Sequence, residues 1–384
     1  MSVKITSAGS SVGNKVLDNF MLKEMVDTSD EWIKSRTGIE ERRIAEDITT
    51  EELASQALKR AIDKAGIDPS EIGLLIVATI SSDTKVPSSA YMVAGKLGLK
   101  NTVCFDINAA CSGFIYSVSV AKSMMKSMGY KYAAVIGAEK LSKYVNWEDR
   151  STCVLFGDGA GCAILENTEI EEGKNHLHII ESKEVLVESE EVQLSKRKNQ
   201  KCNMEDEINQ SLENTSVQEN LENTSVQEEI ESRELEIIDE IIGGYYDSNR
   251  YLTVNSREGI SDENVSEYIE MNGRQVYKFA THEGEKVLKE LMERNAITNK
   301  DVEMVISHQA NKRIIETLSL KTGIEIEKWF INLNKYGNTS SASIPLALDE
   351  SIENLDFNKE KGKYILSVAF GGGLSYGAIL LKIV

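Results

Sequence analysis

The chain predicts an α/β fold, and three observations predict it. Short apolar runs alternate with segments of helical character, one strand-and-helix unit echoes another later on, and 384 residues at 41% hydrophobic content can fill a large duplicated core. Strands that alternate with helices favour mostly parallel sheets.

The elements follow in order. Ile72–Ile80 (IGLLIVATI) is almost wholly apolar, and Ser88–Leu97 after it has helical character. Tyr132–Gly137 (YAAVIG) and Cys162–Leu165 are further strand-like runs. Val302–Ser307 (VEMVIS) leads into a helical Asn311–Lys321, and Ile365–Phe370 (ILSVAF) runs into Gly371–Gly373. The echo pairs LLIVAT and PSSAYMVAGKLGL with MVISHQ and ANKRIIETLSLKTGI. It also pairs CFDINAACSGF with WFINLNKYGNTSS, each running from an apolar strand into a helix start of small residues. Two similar halves, 1–170 and 235–384, would place a site between them near their strand ends. Chance likeness between two βα units is the alternative.

Residues 184–234 break the pattern. They contain no Gly, Pro or aromatic residue and carry fourteen acidic against five basic side chains, a net −9 (5 − 14). LENTSVQE occurs twice, at Leu212–Glu219 and Leu221–Glu228, a period of nine residues. Nine residues span about 2.5 helical turns, so the copies would face opposite sides of a helix and make no apolar stripe. The segment reads as a solvated, disordered surface loop; a partner-binding arm is the alternative.

A net charge of −19 argues against a general binder of nucleic acid or anionic membrane. Met1–Gly9 lacks the apolar run of a signal peptide, and no stretch suits a spanning helix. The five cysteines (Cys104, Cys111, Cys153, Cys162, Cys202) are scattered and form no CxxC pair. That usage fits a reduced cytoplasm rather than a disulfide framework or a zinc site.

The chemistry is expected at Cys111. Between Asp106 and Lys122 there is no charge, so DINAACSGFIYSVSVA should be a buried strand end and helix start. The positive end of a helix favours the thiolate, which is the nucleophilic form. An inert buried cysteine is the alternative, and it is the expectation for the other four. His308 follows an apolar strand in SHQANKR, whereas His176 and His178 look like surface residues and His282 lies in a helical stretch. Asn338, in KYGNTSS, sits where turn chemistry alone would also explain an Asn.

Taken together, DTSDEWIKSRTGI (Asp27–Ile39), ACSGF (Ala110–Phe114), MNGR (Met271–Arg274), HQANKR (His308–Arg313), GNTS (Gly337–Ser340) and AFGGG (Ala369–Gly373) resemble the β-ketoacyl-acyl-carrier-protein synthase III family. The likeness runs from Val3 to Lys382 apart from the acidic segment. It implies a thiolase-like fold of two similar βαβαβ halves in a layered α/β arrangement, a homodimer, and a triad of Cys111, His308 and Asn338. It implies that Cys111 takes an acyl group from acyl-CoA and that malonyl-carrier protein then condenses onto the thioester with loss of CO₂. The backbone at Cys111 and Gly372 would form the oxyanion site. Trp32, Arg36, Arg150 and Asn311 would contact CoA. Val86, Leu141, Phe156 and Phe370 would shape the acyl pocket, and Lys278, Arg313 and Lys321 would face the acidic carrier protein. No metal and no cofactor beyond CoA thioester substrates is expected.

Two departures carry expectations. Val86 stands where the best-known members have Phe, which suggests room for longer or branched primers. The −9 segment would repel an acidic carrier protein, so it is expected to project away from the mouth of the site. The rivals are a secondary-metabolite condensing enzyme or acyltransferase with the same triad, hydroxymethylglutaryl-CoA synthase, a catalytically dead binding protein, and a papain-like hydrolase.

Overall fold

The computed structural model describes residues 2–170, 233–255 and 266–384. Nearly all of the 184–234 segment, with Cys202, His176 and His178, lies outside the described residues. The strands, in order, are β1 (Val3–Val12), β2 (Lys15–Asp18), β3 (Glu41–Ile44), β4 (Ile72–Ala78), β5 (Val103–Ile107), β6 (Tyr132–Lys140), β7 (Asp158–Asn167), β8 (Leu235–Gly244), β9 (Leu252–Thr253), β10 (Glu270–Met271), β11 (Val302–Ser307), β12 (Tyr364–Gly371) and β13 (Ser375–Ile383).

Nine of these form one sheet in the order β11-β12-β13-β8-β1-β7-β6-β4-β5. The run β1-β7-β6-β4-β5 is repeated as β8-β13-β12-β11, and Trp329 bridges Val305 in parallel at the place of the missing fifth strand. Even the register repeats. Ile72 pairs with Tyr132 and Val302 with Tyr364, and each pairing is followed by a slip.

Only β4–β5, β4–β6 and β11–β12 are parallel; the other five neighbouring pairs run antiparallel. The expectation of mostly parallel sheets is therefore corrected. Parallel strands need a long crossover, and β12 reaches β13 through only the Gly372–Leu374 turn, which can join antiparallel neighbours alone.

Three apolar clusters bind the layers. The Thr50–Ala65 helix opens with Thr49 accepting from the Glu52 amide and closes on Gly66 at φ 66°. Its Leu53, Ala57, Leu58, Ala61 and Ile62 recur at helical spacing and pack with Leu75 and Val77 of β4. The alternate residues of β4, Leu74 and Ile76, face a middle layer made by the Gly113–Met128 and Ser343–Glu353 helices. Beyond β11–β13, the Gly273–Arg294 and Lys312–Thr322 helices cover Val305, Leu366 and Val368. Each wholly buried Leu or Ile contributes roughly 1.5–3 kcal/mol of transfer free energy. This packing holds the two helix starts of the middle layer close together. Among the described residues, no helix is long and apolar enough to cross a membrane.

Candidate active site

After β5 the chain turns through Ala110–Ser112 into the Gly113–Met128 helix, and Ala110 takes the left-handed φ of 46°. In the second half the Ser340–Ala342 turn precedes the Ser343–Glu353 helix, and Ser340 has φ 50°. These two turns pack against each other. Cys111, Ser340, Gly372 and Gly373 line a cavity of about 1040 Å³, with Ile80, Leu141, Phe156, Leu252 and Ile269 as apolar wall.

Backbone meets backbone at Cys111. A Cβ on Gly371 would lie 2.8 Å from the Cys111 amide nitrogen and 3.0 Å from its Cβ. Glycine is thus required there by space, not by φ. Burial pushes the Cys111 thiol up to about 12; a hydrogen bond with Ser340 opposes the rise and the Glu139 charge adds to it. Desolvation therefore outweighs the helix-terminus effect on which the sequence expectation of a thiolate rested.

His308 is 2% exposed at the end of β11, and its backbone N–H donates to Val368 O at 2.8 Å. Its Nδ1 lies 2.6 Å from Ser343 Oγ, the first residue of the second-half helix. Phe370 approaches the ring edge-on with centroids 5.5 Å apart. Burial holds the imidazole pKa down at about 3, so it is neutral at pH 7. Asn338 is buried; its N–H donates to Leu155 O at 2.8 Å, and its Oδ1 accepts from Ser340 N at 2.9 Å. Ser340, in turn, shares the cavity wall with Cys111.

The residues expected at CoA also converge. The Arg150 guanidinium sits 4.9 Å over the Trp32 ring and donates to Asp27 O at 2.8 Å, and Arg36 lies 5.9 Å from the same ring. Asn311 caps the Lys312–Thr322 helix and donates to Arg36 O at 3.2 Å; Arg313 donates to Ser35 O at 2.9 Å. Lys278 is exposed, whereas Lys321 is engaged by Glu285 at 2.9 Å. Leu141 and Phe156 line the cavity, while Phe370 packs on His308 and Val86 is 88% exposed outside it.

Sequence reasoning missed two residues. Arg42 is wholly buried and donates to Asn19 Oδ1 and Val154 O, steadying the Val154–Gly157 segment on which Asn338 rests. Its triplet ERR resembles exposed surface, so nothing local marked it. Glu139, also wholly buried, accepts from Ser340 and Ser341. The signal was present, because it is the one acid at the end of the otherwise uncharged run YAAVIGAE.

Residues 105–183 match the family model described as 3-oxoacyl-[acyl-carrier-protein (ACP)] synthase III, and residues 292–383 match its C-terminal counterpart. A Clostridium perfringens protein named β-ketoacyl-[acyl-carrier-protein] synthase III is 41% identical over 382 residues, covering 100% of this chain and 99% of that one. The Aquifex aeolicus protein of the same name is 38% identical, with 100% of both chains covered. The crystal structure of 3-oxoacyl-[acyl-carrier-protein] synthase III from Aquifex aeolicus superposes with a TM-score of 0.76 at 37% identity, covering 99% of each chain.

Proposed function

The chain belongs to the 3-oxoacyl-[acyl-carrier-protein] synthase III family, and from that membership we propose how its own residues carry the reaction. The enzyme is a condensing acyltransferase that initiates fatty-acid synthesis. The observation that supports the residue roles is one juxtaposition: a buried cysteine on a cavity wall, beside a glycine backbone and sharing that wall with Ser340, whose N–H donates to Asn338 Oδ1.

In the proposed first step Cys111 sulfur attacks the acyl-CoA carbonyl. A C–S bond to the enzyme forms, the C–S bond to CoA breaks, and the thiol proton leaves with CoA. The Cys111 and Gly372 amides hold the carbonyl oxygen. Malonyl-carrier protein then enters and loses CO₂, and the resulting enolate carbon attacks the Cys111 thioester. As that carbon–carbon bond forms, the sulfur departs and regains a proton. With Ser343 donating its O–H to Nδ1, the His308 proton sits on Nε2, and His308 and Asn338 donate to the developing enolate oxygen. Neutral donors suit this task, because charge appears only in the transition state.

CoA adenine stacks at Trp32, and Arg150, which now lies directly over that ring, swings outward to admit it. Lys278, Arg313 and Lys321 receive the carrier protein; the Lys321–Glu285 pair makes Lys321 the weakest of the three. The protein works as a cytoplasmic homodimer, each protomer built from the two halves 1–170 and 235–384. Its 88% exposed Val86 reaches the partner's acyl pocket and leaves space for primers beyond acetyl. The test is mass spectrometry of Cys111 after mixing with acetyl-, isobutyryl- and hexanoyl-CoA, followed by malonyl-carrier protein. Acylated Cys111 and a β-ketoacyl product with loss of CO₂ are expected. Label elsewhere, or hydrolysis alone, overturns the assignment, and Val86→Phe that leaves primer preference unchanged overturns the pocket.

A further inference from the structure

Gln309 has no role in the steps above, yet it is 1% exposed and its carboxamide makes every hydrogen bond it can. Its Nε2 donates to Ser307 O at 2.9 Å and to Phe330 O at 3.0 Å. Its Oε1 accepts from Asn332 N at 3.1 Å and from Leu333 N at 3.3 Å. Ser307 O belongs to the peptide unit that carries His308, and the N–H of that same unit donates to Val368 O at 2.8 Å. The peptide is therefore held at both ends. On the other side, Leu333 opens the Leu333–Tyr336 helical turn, to which Asn332 gives no side-chain cap. Gln309 supplies that cap instead. The turn ends where Gly337 N donates to Leu333 O at 2.8 Å, and the next residue is Asn338.

Backbone pairing links these two segments only up to Phe330, whose N–H donates to Val305 O at 2.9 Å. Beyond that point one side chain takes over the link. We propose that Gln309 is a positioning residue for condensation: its carboxamide ties the peptide that carries His308 to the start of the turn that leads to Asn338, so that both donors face one oxygen. Only an amide offers two donors and two acceptors at once, which a carboxylate, a thioether or a lysine cannot. The proposal rests on the reading that His308 and Asn338 donate to the developing enolate oxygen.

The test separates the two half-reactions on the intact chain. CoA release in a single turnover reports acylation, and CO₂ release from malonyl-carrier protein on the pre-acylated enzyme reports condensation. Gln309→Met keeps the length and removes the four bonds. Condensation should slow by about 10–10²-fold while acylation stays within about threefold, because a donor misplaced by about 1 Å costs on that order. Gln309→Glu keeps the shape and the two accepted bonds, but its carboxylate has nothing to donate to Ser307 O and Phe330 O, whereas its acid form has one O–H. Its condensation rate relative to wild type should fall as pH rises through ionisation of that carboxyl and recover on return, with no such trend in acylation. The titratable groups of the linked segments (His308, Lys335, Tyr336 and Glu350) and Arg42 against Gly337 stay in place in all three proteins. Equal losses in both half-reactions mark a merely structural glutamine and overturn the proposal, as do wild-type rates in both variants. If Gln309→Met does not fold, Gln309→Glu decides, and a condensation-to-acylation ratio matching wild type at every pH overturns it. Wild type that fails to condense removes the donor reading and this proposal with it; a normal variant beside an active wild type removes this proposal alone.

Discussion

His308→Ala separates two ways of using a cysteine and a histidine. In an ion-pair site the imidazolium holds a thiolate, and removing it disarms the sulfur. Here burial of both groups opposes such a pair. With Cys111 at about 12 and His308 at about 3, about 10⁻⁵ of the thiol is ionised at pH 7 and about 10⁻⁴ of the imidazole protonated. A preformed pair would occupy a negligible share of molecules even if strong coupling raised the product a thousandfold. His308 therefore acts as a neutral donor, and its loss should be felt where negative charge develops on oxygen. The expected result is condensation slowed by about 10²–10³, while alkylation and first acylation of Cys111 stay within about tenfold of wild type, less than one donor is worth. Single-turnover CoA release and radiolabelled CO₂ release report the two halves of the cycle. Alkylation and acylation falling in step with condensation would refute the neutral-donor argument.

Gly371→Ala places a methyl 2.8 Å from the Cys111 amide at a backbone φ of −163° that any residue adopts, so its cost is overlap alone. It should destabilise the fold by about 1–3 kcal/mol in urea unfolding and slow acylation; wild-type behaviour would mean the two backbones are farther apart. On the proposed placement Arg150 closes over the adenine stacked at Trp32, so Arg150→Ala loses a part-exposed cation–π contact worth about 0.5–1 kcal/mol and KM for acyl-CoA should rise about two- to fivefold with kcat little changed; a fall in kcat alone would contradict that placement. Stability should also report His308. Its folded pKa is depressed from 6.5 to about 3, so the unfolded chain binds the proton first and stability falls as pH drops from about 6.5 toward 3. The loss is on the order of 4–5 kcal/mol at the acid end. His308→Gln should not share it, and parallel acid profiles for the two proteins would sink the assignment.

The parallel heart of each half was legible because β4 and β11 are fully or largely apolar runs, and the chain leaves them for helices with clear starts. The antiparallel strands were not. β1 alternates buried and half-exposed residues, and Glu236, Asp239 and Glu240 interrupt the apolar residues of β8, so neither shows the continuous apolar run that was sought. Cys111 and Asn338 stood out as candidates because small residues and a glycine flank each, and His308 because it follows an apolar strand. Arg42 was not, since its partner Val154 is distant in sequence; Glu139 did carry a signal as the lone acid ending an uncharged strand, although its partners Ser340 and Ser341 are equally distant.

The repeat accounts for one open turn rather than two. Aligning Tyr132 with Tyr364 puts Glu139 of β6 at the position of Gly371 of β12, seven residues along in each. The left-handed Ala110 and Ser340 align likewise, which makes Ser341 the counterpart of Cys111. Each strand end packs on the turn of the opposite half. Gly371 leaves bare backbone beside Cys111, so a substrate carbonyl can reach both the sulfur and the amides. Glu139 fills the equivalent space beside Ser341 and binds its hydroxyl at 3.0 Å, leaving no room for a substrate there. One turn of the duplicated pair is therefore open and reactive, and the other is closed and rigid. The closed turn carries Asn338 just before it and binds its Oδ1 through the Ser340 N–H, so on the proposed roles it would set Asn338 relative to Cys111.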